Sequence, residues 1–116
     1  MRLVRRASSG TRLEGEQVLL RLLRGSRLSG WEVNPLVYDA RGLIGEVDVA
    51  FVAARVAIEV DGLAWHVDAD RFQRARTKQN RLVAAGWVVL RFTWQDLTQR
   101  PDEVIARIAA AVAARS

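Results

Sequence analysis

Residues 43–61, LIGEVDVAFVAARVAIEVD, alternate apolar and polar side chains along two runs that a short connection separates. A period of two is typical of half-buried strands, so it predicts one strand over 43–51 and another over 55–61. The tight connection makes these strands antiparallel neighbours. We therefore expect this stretch to form the middle of a β-sheet.

The first run divides its side chains between the two faces of the expected sheet. Val47, Val49 and Phe51 fall on one face, and the carboxylates of Glu46 and Asp48 fall on the other. The pattern predicts a strand with one apolar face and two acids on the opposite face.

The flanking sequence supplies helices and further strands. Hydrophobic spacing and end signals predict helices over 12–24, from Asp68 or Asp70 to Ala85, and from Pro101 onward, and strands over 31–37 and 87–93. The strongly apolar run at 87–93 is expected to be a buried central strand, parallel to the strand at 55–61. The expected architecture is a single α/β domain of order αβββαβα, with a mixed four-stranded sheet flanked by helices.

Two details of these elements are further expectations. Pro35 favours an edge position for the strand over 31–37, because proline cannot donate to a β-ladder. In the second helix, Phe72 and Val83 share the side that is expected to face the core.

The composition suits one domain with one core, since the chain has 116 residues and 50% of them are hydrophobic. We expect residues 1–11 to form a flexible basic arm and 12–116 to form the domain. The chain has no cysteine, which excludes disulfides, thiolate metal sites and cysteine nucleophiles. No apolar run approaches the roughly 18 residues of a membrane span, so we expect a cytoplasmic protein with no membrane partner.

The charge balance favours a nucleic-acid partner. The net charge is +5, and all but one of the 18 basic residues are arginine, whose planar guanidinium suits phosphates. A GC-rich genome explains the arginine excess equally well. Six acids cluster in 46–70, and a basic stripe follows directly at Arg71, Arg74, Arg76 and Lys78, which are candidates for phosphate contacts.

The acids of the two central strands form a candidate metal site. Asp48 and Glu59 occupy same-side positions on adjacent strands, and Asp61 shares the parity of Glu59. Two carboxylates plus water and a phosphate oxygen are the usual ligands of Mg²⁺. His66 follows after a glycine turn and could move protons. The plainer alternatives are a solvated sheet face for the acids and a structural role for the histidine.

An ordered set of motifs resembles the PD-(D/E)XK nuclease superfamily, and more closely a family of domains related to the very-short-patch (Vsr) mismatch repair endonucleases. The resemblance covers about 16–97 and rests on Glu16 with Leu22-Leu23-Arg24, Asp48-Val49-Ala50-Phe51, Ile58-Glu59-Val60-Asp61-Gly62, Trp65-His66, Gly86-Trp87 with Leu90, and Trp94. It implies a restriction-endonuclease-like, Vsr-like nuclease domain.

The resemblance also implies roles for individual residues. Asp48 and Glu59 would bind the metal, and Val60 would offer its backbone carbonyl. Glu16 resembles a helix acid that binds metal through water or supports the histidine, although it could be an ordinary surface residue. Asp61 stands where the superfamily has a lysine, which leaves the general base open.

The resemblance therefore implies a Mg²⁺- or Mn²⁺-dependent DNA endonuclease that cleaves phosphodiesters by metal-activated water, with His66 moving protons. Lys78, the only lysine, could replace the missing motif lysine or be a solvated helix residue. Trp65 resembles one of the aromatics that insert between base pairs, although a role as a core or loop anchor is the alternative. The alternative functions are a non-cleaving nucleic-acid-binding or toxin-like accessory module and a protein-interaction module with an acidic patch. The substrate form and the oligomeric state stay open.

Overall fold

The computed structural model describes residues 11–61 and 69–115. The described elements are helix α1 (Arg12–Arg24), strands β1 (Trp31–Val33), β2 (Leu36–Asp39), β3 (Gly42–Glu46), β4 (Val49–Phe51) and β5 (Val56–Asp61), helix α2 (Ala69–Ala84), strand β6 (Val88–Thr93), and helices α3 (Trp94–Gln99) and α4 (Pro101–Ala114). None of the described helices has the length and apolarity needed to cross a membrane. Residues 1–10, most of the predicted arm, lie outside the described residues.

Four strands form the mixed sheet that the sequence predicts, in the order β1-β4-β5-β6. Strand β4 pairs antiparallel with both β1 and β5, and β5 pairs parallel with β6. The register sets Val49 opposite Ile58. The single α/β domain and its mixed four-stranded sheet are therefore confirmed.

The predicted strands over 31–37 and 43–51 are each divided in two, so the prediction of continuous strands is wrong. The first divides at Asn34-Pro35, where Asn34 has a positive φ of 53° and Pro35 lacks an amide hydrogen. The second divides after β3, and Gly45 has a φ of 151°. The inner halves, β2 and β3, form a separate antiparallel hairpin.

The division also breaks the predicted alternation of the first run. Val47 packs with Leu82 and Trp87, whereas Val49 and Phe51 pack in a different cluster, so the expected common face is wrong. Glu46 ends β3 of the hairpin and is exposed, whereas Asp48 precedes β4 and is fully buried, so the two acids do not lie on one strand as predicted. The physical reason is that the extended backbone does not continue from β3 into β4.

The core consists of two layers, one on each face of the sheet. Helices α1, α3 and α4 cover one face and contribute Leu19, Leu23, Leu97, Val104 and Ile108. Helix α2 and the hairpin cover the other face, where Val37, Ala57, Leu82 and Trp87 pack together. Because side chains alternate along β5, its valines and Ile58 face the first layer and its Ala57 and Glu59 face the second.

Strand β6 is an edge strand, not the central strand that its apolar sequence predicts. Its hydrophobicity has another cause, because helices cover both of its faces. Phe92 belongs to the first layer and Val89 packs against the second. A further correction concerns α2, where Phe72 and Val83 are 54% and 56% exposed and do not face the core.

Helix α1 lies unusually close to β5 because Gly15 has no side chain. A Cβ atom at Gly15 would lie 2.6 Å from Cγ1 of Val60. The helix begins with a capping box in which Thr11 and Glu14 exchange hydrogen bonds. These two features fix the first turn of α1, and with it Arg12 and Glu16, against the sheet.

The hairpin is attached to α2 by one arginine. Arg81 donates two hydrogen bonds to Asp39 and others to the backbone carbonyls of Gly42 and Leu43 at the start of β3. The hydrogen bonds from Arg81 lower the pKa of Asp39 to about 2. Helix α2 and the hairpin therefore form one connected layer.

Gly15→Ala tests the close contact between α1 and β5. Alanine gains about 1 kcal/mol of helix propensity over glycine, but we expect a net loss of about 1–2 kcal/mol because the new methyl group overlaps Val60. Chemical denaturation measures the difference. Gly25→Ala is the control, since a Cβ there meets only ordinary contacts at 3.5 Å, and a stabilising Gly15→Ala would contradict this packing.

Candidate active site

Asp48 is the buried centre of the site. It follows the hairpin and precedes β4, and its side chain is fully buried. Strand β4 pairs with β5 only as far as Ile58, so the amide of Val60 has no backbone partner from β4. The Asp48 carboxylate takes that place, and its Oδ2 accepts a hydrogen bond of 2.7 Å from the Val60 amide.

Glu59 is the second buried carboxylate, and α2 places a lysine against it. Glu59 is 7% exposed on the α2-facing side of β5. Its Oε2 lies 3.0 Å from Nζ of Lys78. The same ammonium donates to the backbone carbonyl of Glu46, and the lysine side chain passes close to Gly45. Lys78 is therefore positioned by both the sheet and the hairpin.

Glu16 brings a third carboxylate to this region from α1. The side-chain amide of Asn34 donates to its Oε2 over 3.2 Å. Burial raises the pKa of Glu16, and the nearby charge of Asp48 raises it further, against the lowering effect of the Asn34 hydrogen bond. Glu16 thus lies close enough to Asp48 for the two acids to repel each other.

Arg12 is a cation that contacts Asp48 and lies within the electrostatic reach of Glu59 and Glu16. Its guanidinium donates to Oδ1 of Asp48. Burial lowers the pKa of Arg12, but the Asp48 hydrogen bond and the negative charges of Asp48, Glu59 and Glu16 raise it more. The negative charges of three carboxylates therefore act on the Arg12 guanidinium.

The pKa of Glu59 is shifted first by burial and then by its charged neighbours. Burial raises it, the charge of Lys78 lowers it, and the charge of Asp48 raises it again, so that the net pKa is raised. Asp48 and Glu59 therefore repel each other across the pairing of β4 with β5. A cation placed between them would relieve this repulsion.

Asp61 lies at the solvent-exposed end of β5. Its parity matches that of Glu59, as the sequence predicts, but its Oδ1 accepts a hydrogen bond of 2.8 Å from Arg91 on β6. Both side chains of this pair are 39% exposed. The structure thus places Asp61 beside Arg91 and does not join it to Asp48.

The remaining predicted residues lie on α2 or outside the described part of the chain. Arg71, Arg74 and Arg76 are exposed on α2, and the Arg76 guanidinium lies 5.3 Å from the centre of the exposed Phe72 ring. Trp65 and His66 lie outside the described residues.

Sequence reasoning missed three residues of the site: Arg12, Asn34 and Arg91. Arg12 and Glu16 are four residues apart, a spacing that indicates an ordinary ion pair on a helix surface. Asn34 and Arg91 reach the acids only through the folding of β1 and the parallel register of β6. The sequence carries no local signal for either contact.

The residues present fit a divalent cation held by few protein ligands. Within 11–61 and 69–115, no group of three or more acids or histidines is arranged to hold a metal ion. Mg²⁺ often takes only one or two carboxylates and completes its shell with water and phosphate oxygens. Asp48 and Glu59 supply such a pair of carboxylates.

The fold and the site define an α/β domain with an acidic site buried beside a mixed sheet. The profile of the restriction endonuclease-like family REase_MTES_1575 matches residues 16–112. The chain therefore belongs to this family. The match includes Glu16, Asp48, Glu59 and Lys78.

The curated relatives carry no described activity. Two proteins from two strains of Mycobacterium tuberculosis, both named as uncharacterized, are 30% identical to the chain over 83 residues. The aligned region is 69% of this chain and 31% of each relative, so the chain spans about a third of their length. No solved structure matches the chain.

Lys78→Met tests the ion pair with Glu59. The pKa of Glu59 is expected to rise further, because the lysine charge that lowers it is lost. At neutral pH the variant is expected to lose about 1–3 kcal/mol of stability, because a buried carboxylate is left unpaired. The loss should shrink as the pH falls through the pKa of Glu59 and the carboxyl becomes neutral.

Carbon NMR of the carboxyl groups measures the pKa of Glu59, and urea denaturation at several pH values measures the stability. Lys78→Arg is the control, since it keeps the positive charge. Identical titration of Glu59 in the wild type and Lys78→Met would contradict the ion pair.

Proposed function

We propose that the chain is a Mg²⁺- or Mn²⁺-dependent endonuclease that hydrolyses phosphodiester bonds of DNA. The observation that carries the proposal is the pair of buried carboxylates, Asp48 and Glu59, which are near enough for the charge of Asp48 to raise the pKa of Glu59. Burying charge is costly, so a domain keeps such a pair where a cation or a reaction needs it. Membership of a restriction endonuclease-like family supports the same class of activity.

Asp48 and Glu59 would hold the cation, which supplies Lewis-acid chemistry and activates water. The Val60 carbonyl is a further candidate ligand, because the amide and carbonyl of one strand residue point to the same side and its amide faces Asp48. Glu16 would support the site through water. In this proposal the domain is of the PD-(D/E)XK kind and is related to the very-short-patch repair endonucleases.

Lys78 would replace the motif lysine, whose position in this chain is occupied by Asp61. An ammonium has three N–H donors, and two of them point to Glu59 and to the carbonyl of Glu46. In this proposal the third would be donated to a phosphate oxygen or to the attacking water. Asp61, which stands at the position of the motif lysine, forms an ion pair with Arg91 instead. His66 stays a candidate proton carrier, and Trp65 a candidate for base stacking, on sequence alone.

Helix α2 would bind the DNA backbone. Lys78 lies on its sheet-facing side, and Arg74 and Arg76 are exposed on the same helix. A phosphate chain that follows α2 would therefore reach the acidic site. Such contacts fix position without reading sequence.

One observation favours a second candidate, a nucleic-acid-binding module that does not cleave. Arg12 and Lys78 already pair with Asp48 and Glu59, so both acids have counter-charges without a metal. A domain that had lost catalysis could keep its fold in this way. The two candidates differ in whether bound DNA is cut.

Metal binding and cleavage are tested with Asp48→Asn. We expect Mg²⁺ or Mn²⁺ to raise the melting temperature of the wild type, because a ligand that binds the folded state stabilises it. The variant should lose both this shift and the nicking of supercoiled plasmid. Asp102→Asn, the same change on the surface of α4, should keep both.

The outcomes separate the candidates. A metal-induced shift that persists in Asp48→Asn would contradict the assignment of this residue. Binding of DNA without nicking at any Mg²⁺ or Mn²⁺ concentration would favour the non-cleaving module.

The DNA surface is tested with the double variant Arg74→Ala/Arg76→Ala. It should bind DNA more weakly, and its salt dependence should flatten by about one unit of log–log slope for each phosphate that the variant no longer neutralises. Fluorescence anisotropy across a salt series measures both. Arg21→Ala/Arg24→Ala on α1 is the matched control, and equal slopes in the two variants would place the DNA on another surface.

A further inference from the structure

The contact between Arg12 and Asp48 joins an accessible cation to a buried anion. The Arg12 side chain is 59% exposed, whereas that of Asp48 is 0% exposed. Arg12 is the first residue of α1, and its long, largely exposed side chain ends on the buried Asp48 carboxylate. Its head group could therefore leave Asp48 and be hydrated at once.

The two oxygens of Asp48 have different partners. Oδ2 accepts from the Val60 amide, a bond that closes the gap between β4 and β5. Oδ1 accepts from Arg12. A metal ion that bound Asp48 without disrupting the sheet would need Oδ1, so the metal and the guanidinium compete for the same atom.

The competition extends beyond one oxygen. The charges of Asp48, Glu59 and Glu16 all act on the Arg12 guanidinium, which is the set of charges that would attract a divalent cation. Lys78 neutralises Glu59 from the other side, through α2. Arg12 thus contacts the Asp48 oxygen that the cation would need, whereas Lys78 is the counter-charge of Glu59.

We propose that Arg12 is an internal counter-ion that holds Asp48 in the metal-free protein and is displaced when the divalent cation binds. The proposal rests on the proposed metal site and adds a property to it. Arg12 stabilises the acidic site without metal. The apparent metal affinity is the intrinsic affinity multiplied by the fraction of molecules in which Arg12 has left Oδ1, so it is weakened.

The test compares Mn²⁺ binding by the wild type and Arg12→Gln, measured by isothermal titration calorimetry in the absence of DNA. We expect Arg12→Gln to bind Mn²⁺ about tenfold more tightly. It should melt at a lower temperature than the wild type without metal, and the difference should close at saturating Mn²⁺. Arg21→Gln, on the exposed side of the same helix, is the control and should change neither value.

A purely structural role for Arg12 predicts the opposite sign, since a misplaced Asp48 would bind Mn²⁺ more weakly. Equal or weaker Mn²⁺ binding by folded Arg12→Gln, with metal-dependent nicking by the wild type intact, would overturn this proposal alone. Absence of Mn²⁺ binding in both proteins would overturn the metal site and this proposal together.

A second measurement needs no substitution that risks the fold. In the wild type, the guanidinium N–H signals of Arg12 are followed by nitrogen NMR, with Arg12→Lys identifying them. Addition of Mg²⁺ should remove their protection from exchange with water. Protection that persists at saturating Mg²⁺ would overturn the displacement.

Discussion

The hydrogen bond from the Val60 amide to the Asp48 carboxylate is the interaction on which the rest of the structure depends. It connects the segment before β4 to β5 beyond Val49 and Ile58, where the backbone pairing of the two strands ends. The same segment is fixed on its other side, where the Asn34 amide donates to the Asp48 carbonyl. The Asp48 carboxylate thus takes the place of a backbone acceptor in the sheet. This hydrogen bond gives the buried charge a partner.

Burial of Asp48 determines the arrangement of charge around it. A buried carboxylate needs partners, and those of Asp48 include the Val60 amide and the Arg12 guanidinium. The close approach of α1, permitted by Gly15, brings Arg12 and Glu16 to the same place. On the opposite layer, the joined hairpin and α2 bring Lys78 to Glu59. Asp48 and Glu59 therefore receive their counter-charges from helices that pack on opposite faces of the sheet.

The sequence predicts the parts of this arrangement that follow from local periodicity. Alternation identifies β5 and places Glu59 on the face opposite Ile58, and the short connection predicts the antiparallel pairing of β4 with β5. Helical spacing of apolar residues predicts α1. Alternation does not reveal where an extended chain changes direction, so it does not predict the division of β3 from β4. The apolar sequence of β6 indicates that both of its faces are covered. A central strand and an edge strand covered by helices both have this property, so the sequence does not distinguish them.

The sequence predicts the two central acids of the site but not their partners. Parity brings Asp48 and Glu59 to adjacent positions, but the partners of each acid come from distant segments. The contact of Lys78 with Glu59 depends on how α2 packs on the sheet, and that of Arg12 depends on the absence of a side chain at Gly15. Tertiary packing, which no short pattern encodes, decided these contacts.

The presence of one lysine in the chain, and its location beside Glu59, has a consequence for chemical modification. Reagents that acylate primary amines have a single side-chain target, and it is only 28% exposed. Acylation there removes the positive charge and leaves the Glu59 carboxylate without its ammonium partner. The one lysine side chain that amine-directed labels and crosslinkers can modify, apart from an α-amino group, thus lies in the acidic site itself, whereas the many arginines do not react with them.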